Sequence, residues 1–477
     1  MRARPQSTAL SALTALSALS ALPAVAQEPA RSTAEQRQTV TITVYNQNFG
    51  LVREVRNVTL GARGTALEFR DVAGEIEPYT VAVRALDGRP FRVLEQNYRY
   101  DLLNPEQLVQ KYVGRAITIY RWNERTGRDE AVPAEVLAAN NGVVLRVGDE
   151  ITFGFPGRMA FPEVPENLIA EPTLMWMLDG QAGARQVEVS YLTRGMGWRA
   201  DYVLVVNASD TRGDLTGWVT LNNTSGASFR NAQLKLVAGD VQRVVDDMRR
   251  QRVGVAEMQA ARADVQAFAE EGLFEYHLYT LQRPTDVLQN EQKQVTLLEA
   301  AGIGLQKRLI LAGQRYWYRA QTGELPSRQK VGVFLEFENR EGNGMGMPLP
   351  RGIVRVYKAD RSGAQQFVGE DRIDHTPRDE RVTIKVGEAF DVVADRRQME
   401  WRALGSCTSE SRWQVQLRNH KDEAVDVDVM EPVGGDWTIV QSSHEWTRVD
   451  AGTFRFRVPV VARGETTINY SVRVRWC

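Results

Sequence analysis

The chain has 477 residues, 43% hydrophobic, 25% charged and 8% aromatic, which supplies apolar material for large cores and excludes a disordered or fibrous protein. Lys and Arg total 59 against 60 Asp and Glu, and the resulting charge of -1 argues against a polybasic nucleic-acid or membrane-surface protein. At roughly 150 residues per domain, the length predicts about three domains.

Residues 1–26 read as a secretory leader. Arg2 and Arg4 give a positive start, Ala9 to Leu22 form an Ala/Leu-rich run, and Ala24-Val25-Ala26 offers a small-residue cleavage site before Gln27. No Cys follows the run, so a lipoprotein anchor has no attachment point. No other stretch reaches the length of a membrane helix, so no transmembrane segment is expected in the mature chain. The expected location is therefore periplasmic or secreted after cleavage near Ala26.

Residues 27–37 are polar and contain Pro, a linker pattern. From Thr39 the chain alternates with period two. Val40, Ile42 and Val44, then Val52, Val55 and Val58, then Leu67 and Phe69, then Val81 and Val83 predict short strands of an N-terminal β domain over 38–172. One helix is expected at Asn104 to Val113, with Asn104 as cap, Pro105 in the first turn and Gly114 as stop. Strands resume at Arg115 to Trp122, and Phe155-Pro156-Gly157 with Phe161 to Pro165 mark a loop-rich connection.

A central β domain over 185–360 follows, with strands around Val187 to Tyr191, Trp198 to Val206, Trp218 to Leu221 and Leu234 to Val237. Residues 241–272 shift to Ala, Arg, Gln, Glu and Met, and Val255, Met258, Ala261, Val265 and Phe268 recur at helical spacing. That segment is expected to be a helical or disordered insertion. The last section, 380–477, has six alternating runs separated by Gly-containing turns, the pattern of an immunoglobulin-like sandwich. The expected fold class is thus mainly β, several β-sandwich-like domains in series. Cys407 and Cys477 are the two cysteines, and an even count in an exported chain predicts one disulfide stapling the last domain.

Several motifs in order, Tyr191 to Tyr202 (YLTRGMGWRADY), Leu221 to Gly226 (LNNTSG), Phe274 to Tyr279 (FEYHLY), Val354 to Tyr357 with Gly369 to Asp371 and His375 to Pro377, and Tyr470 to Val474, resemble an exported bacterial family. That family is built on a shared domain of unknown function and is related to mucoidy-inhibitor-like proteins. The resemblance covers residues 38–477 and implies a secreted, mostly β, multidomain protein. It brings no activity, cofactor or catalytic residue. The long coiled-coil arm common in such proteins has no counterpart here, because no heptads are sustained.

The four histidines stand in no metal-binding spacing. On a strand over 274–279, Glu275, His277 and Tyr279 share a face, which makes Glu275 and His277 the catalytic candidates for acid-base work, against a plain polar contact between domains. Residues 369–380 concentrate carboxylates, and Asp371, Asp374 and His375 are weak metal candidates for Ca²⁺. The missing Asx-Gly loop and the neighbouring Arg372, Arg378 and Arg381 favour a solvated connector. A pair of these acids would also suit glycoside hydrolysis. In Arg315 to Arg319 a strand would put Tyr316 and Tyr318 on one side and Trp317 between two Arg on the other, a candidate surface for carbohydrate or partner binding or a covered core edge. Gly342 to Pro348 lacks a following helix and reads as a turn, and GxSxG is absent. The excess of 51 Arg over 8 Lys comes with interspersed acids and reads as surface pairing.

These observations favour an exported, non-enzymatic binding or structural component of the cell envelope. Its expected partner is an envelope protein or glycan, with no cofactor and no nucleic acid. The alternative is a hydrolase of envelope or extracellular polymers, working through a Glu/His or paired-carboxylate site, and a third reading is a self-assembling scaffold.

Overall fold

The computed structural model describes residues 29–61, 64–154, 157–165, 168–243 and 268–477. The leader at 1–26 and most of the insertion, 244–267, lie outside them. The described residues are mainly β strands in several sheets, with one α-helix at Pro105–Lys111. The Asn104 side chain caps that helix by accepting from the Gln107 N–H at 2.8 Å. Among the described residues no helix is long and apolar enough to cross a membrane.

The largest core draws on four sheets. One runs in the order Phe268–Leu273, Tyr276–Leu281, Phe229–Ala238, Arg37–Tyr45, Phe49–Leu60, Gly183–Arg194, Ala82–Ala85. A second joins Glu291–Gly304, Arg212–Asn223, Met196–Val206, Gly352–Ala359 and Gln365–Ile373. Period-two alternation turns Ile42, Val44, Val52, Val189 and Leu236 inward, where they meet Trp198, Tyr202, Leu221 and Val356. Polar tips tie the layers: the Trp198 indole N–H donates to the Val237 carbonyl at 3.2 Å, and the Tyr279 hydroxyl donates to the Pro348 carbonyl at 3.0 Å.

Two expectations change here. The segment read as a linker supplies a strand, Ala30–Ser32, parallel to Thr65–Phe69. It is held by buried Arg56, which donates to the Ser32 and Arg70 carbonyls at 3.1 and 2.8 Å and lies over the Phe69 ring. The division between residues 172 and 185 also does not separate two cores. Strand Arg37–Tyr45 pairs parallel with Phe229–Ala238, and Phe49–Leu60 pairs along its whole length with Gly183–Arg194. Burial of both partners' inward side chains demands the single core.

A small five-stranded sheet stands apart, ordered Glu150–Phe153, Val144–Val147, Arg128–Ala138, Ala116–Asn123, Arg158–Ala160, with the helix closing a minor core around Tyr112, Ile119 and Leu145. The final sheet has nine strands, ordered Asp436–Ser442, Glu465–Arg475, Thr408–Asn419, Arg381–Ala403, Gln329–Glu338, Gln306–Ala312, Val425–Pro432, Thr453–Val460, Trp446–Asp450. It folds over on itself, since Phe454 and Phe456 reach the Tyr470 ring at 5.7 and 5.2 Å from the other half of the sheet. Two of its strands, Gln306–Ala312 and Gln329–Glu338, come from the stretch assigned to the central domain. The 23-residue strand Arg381–Ala403 buries Val382 and Ile384 in the first core and Val392 and Ala394 in the second. Its partner Gln329–Glu338 does likewise with Phe337 and Val331, so the two cores share a continuous β ribbon.

Candidate functional site

Two of the histidines that the sequence singled out, His277 and His375, lie near enough to interact electrostatically. Strand Tyr276–Leu281 places His277 opposite Ala238 on one side and opposite Gly272 on the other. Gly272 has no side chain to fill the space, so the imidazole leans to the diagonal neighbour, Glu270. His277 Nδ1 donates to Glu270 Oε1 at 2.8 Å, and this carboxylate is almost fully buried. The expected Glu275 partner is not used. Phe274 takes a left-handed conformation with φ 58°, the chain turns there, and Glu275 faces solvent before the strand begins. Glu270 belonged to the segment read as an insertion, whose end, Phe268–Leu273, is an edge strand.

His375 follows strand Gln365–Ile373, an edge of the second sheet. The loop carrying it is pinned by reciprocal backbone hydrogen bonds between Leu349 and Thr376. Its Nδ1 accepts the Arg351 N–H at 3.2 Å, so its proton sits on Nε2. The surrounding protein and the Arg351 guanidinium hold the imidazole below its ordinary pKa, and His277 lies near enough to add to the effect. Arg351 in turn pairs with Asp240 at 3.6 Å, just past the strand end at Ala238. Gly239, at φ 134°, keeps this corner tight, because a Cβ there would fall 2.5 Å from the Tyr276 ring. Nδ1 is thus engaged on both rings, by a carboxylate in His277 and by a backbone N–H in His375, which leaves each Nε2 as the position open to a partner.

The other candidates fall elsewhere. Both Asp371 carboxylate oxygens accept from backbone, from Arg372 N–H at 2.8 Å and Lys385 N–H at 2.7 Å. Asp374 is exposed beside His375, and among the described residues no three His, Cys, Asp or Glu side chains are close enough to hold a metal ion. The cluster Asp371, Asp374, His375 is thus not assembled as a ligand set. Residues Arg315–Tyr318 form a 3₁₀ turn instead of a strand, which undoes the expected alternation. Tyr316 is exposed while Trp317 and Tyr318 are buried. Trp317 lies under Arg396, 4.6 Å from its ring, and the Tyr318 hydroxyl donates to Glu431 at 2.7 Å. Arg396 and Glu431 make a fully buried ion pair at 2.6 Å. Burial, with Glu431 adding, pushes the Tyr318 and Tyr470 phenols well above their usual pKa. Of the aromatic trio only Tyr316 is available to a partner.

Cys407 and Cys477 are bonded, with Cα atoms 5.7 Å apart. The register explains the match: Thr408 pairs with Arg475, which brings the two flanking cysteines to the same end of adjacent strands.

A family model described as a domain of unknown function, DUF4139, matches residues 187–477. No curated protein matches the chain.

Proposed function

The chain belongs to the family of the DUF4139 domain, and from that premise we propose an exported, non-enzymatic protein that binds or organises a component of the bacterial cell envelope. The observation that carries it is the ribbon of Gln329–Glu338 and Arg381–Ala403, which joins two large cores without a flexible linker and makes a rigid platform for holding a partner. The Cys407–Cys477 bond supports an oxidising compartment, periplasmic or extracellular, reached after cleavage near Ala26. The folded-over last sheet suits an immunoglobulin-like binding module, and a relation to mucoidy-inhibitor-like proteins is part of the same proposal. Immobilised, disulfide-bonded mature protein is expected to retain a protein or glycan from an envelope fraction and to leave cytosolic material in the flow-through. Retention of nothing from a broad set of envelope proteins and glycans would overturn the proposal.

One observation favours a hydrolase as the second reading, the 2.8 Å contact between Glu270 and His277. His277 Nε2 would take a proton from water attacking an envelope polymer, Glu270 would stabilise the imidazolium, and the imidazolium would return the proton to the leaving group as the scissile bond breaks. Glu270→Gln and His277→Asn should each cut any detected turnover by about 100-fold or more while leaving the melting temperature in place. Unchanged turnover in both variants removes this reading.

A further inference from the structure

Strands Glu150–Phe153 and Arg158–Ala160 are the two edges of the small five-stranded sheet, and residues 154–157 connect them. Five residue steps reach at most about 17 Å, whereas five strands laid flat would hold their edges about 19 Å apart, so the sheet has to curl. Between the approaching edges opens a cavity of about 490 Å³. It reaches Ile119 and Leu145 of the minor core and is walled by Val143, Val144, Phe153 and Met159. Among the described residues lining it none carries a charge, and Asn141 alone of these has a polar side chain. At the rim Phe153 is 83% exposed and Ile151 66% exposed, an aromatic and an aliphatic group left in water beside an apolar opening.

We propose that this seam binds an acyl chain, the tail of an envelope lipid; the inference deepens the binding function above by naming a ligand class. The volume lies within the range of about 300–1,000 Å³ typical of small-molecule pockets. The uncharged lining selects an apolar occupant, since a polar one would give up hydrogen bonds to water without replacement. An added peptide strand is disfavoured by close packing. Gly157 lies flat on strand Ala116–Asn123, where even a Cβ would fall 2.6 Å from the Tyr120 carbonyl oxygen, so that end of the seam has no room for another backbone.

The full-length, disulfide-bonded protein should be titrated with cis-parinaric acid, a fatty acid whose emission rises when it leaves water. A saturable rise corresponding to one site per chain is expected. Val143→Trp and Met159→Trp, which fill the cavity, should each weaken binding at least tenfold, while Phe390→Ala, an exposed apolar site on the long strand, should bind as the unmodified protein does. If Val143→Trp lowers the melting temperature, Met159→Trp, on the partly exposed edge, keeps the test valid. No saturable rise, unweakened binding in the folded cavity-filling variants, or capture of an apolar peptide in place of the fatty acid would overturn the assignment. Retention of an envelope component by Met159→Trp alongside any of those results would show that the acyl site fails while the broader binding function stands.

Discussion

Arg396 and Glu431 sit inside the last core with no exposure of either side chain, surrounded by Trp317, Tyr318 and Tyr470. Glu54 and Arg56 do the same in the first core. Such pairs add little net stability over apolar residues of similar volume, but removing one member strands a charge without water. Arg396→Met should therefore cost about 3–5 kcal/mol in urea unfolding, and Arg396→Met combined with Glu431→Met should recover most of that loss. Neither pair is evident from sequence. In Phe49–Leu60 the alternation that buries Val52, Val58 and Leu60 also buries Glu54 and Arg56, charges that composition alone assigns to the surface. His375 makes a separate prediction. Its folded pKa lies below the ordinary 6.5, so its contribution to stability is complete above 6.5 and is lost as the pH falls through the lowered value. Replacement by Gln should flatten that part of the acid limb of a stability-against-pH curve, and a histidine proton titration by NMR should place His375 below the ordinary histidine value of 6.5.

Pairing partners decide what each element does. The disulfide closes a loop of 70 residues, for which chain entropy predicts about 4 kcal/mol, so reduction should lower the melting temperature while the paired strands Thr408–Asn419 and Glu465–Arg475 persist below it. Circular dichroism melts with and without reductant measure this. At the hairpin of Phe268–Leu273 and Tyr276–Leu281, the turn at Phe274 gives His277 a partner on the adjacent strand, Glu270, diagonal to its pairing neighbour Gly272, and sends Glu275 into solvent. Most strands announce themselves by alternation. Which residues stop a strand, as at Phe274, or tighten it into a 3₁₀ turn, as at Arg315–Tyr318, depends on contacts made by distant residues such as Arg396 and Glu431.

For the whole molecule, the region matched by the family model is not an independent folding unit in this chain. It begins within strand Gly183–Arg194, whose full-length partner is Phe49–Leu60, and strand Phe229–Ala238 leans on Arg37–Tyr45. A fragment of residues 187–477 lacks both partners and exposes the inner faces of Val189, Leu234 and Leu236. It should show no cooperative transition for the first core and should lose near-ultraviolet dichroism from Trp198, whereas the full chain retains both. Protection of the fragment's Phe229–Ala238 amides in hydrogen exchange at the level of the full chain would contradict this.

Local sequence determined the strand-rich character, the capped helix at Pro105–Lys111, most strand positions and the availability of two cysteines for one bond. Those features follow from side-chain periodicity, capping chemistry and counting, which act over a few neighbouring residues. Tertiary structure alone decided that strands as distant in sequence as Phe49–Leu60 and Gly183–Arg194 pair side by side, that charges such as Arg56 and Arg396 belong inside, and that Glu270 rather than Glu275 meets His277. The physical reason is that burial and hydrogen-bond satisfaction are settled by whichever partner the folded chain brings alongside, and adjacency in sequence carries no record of that choice.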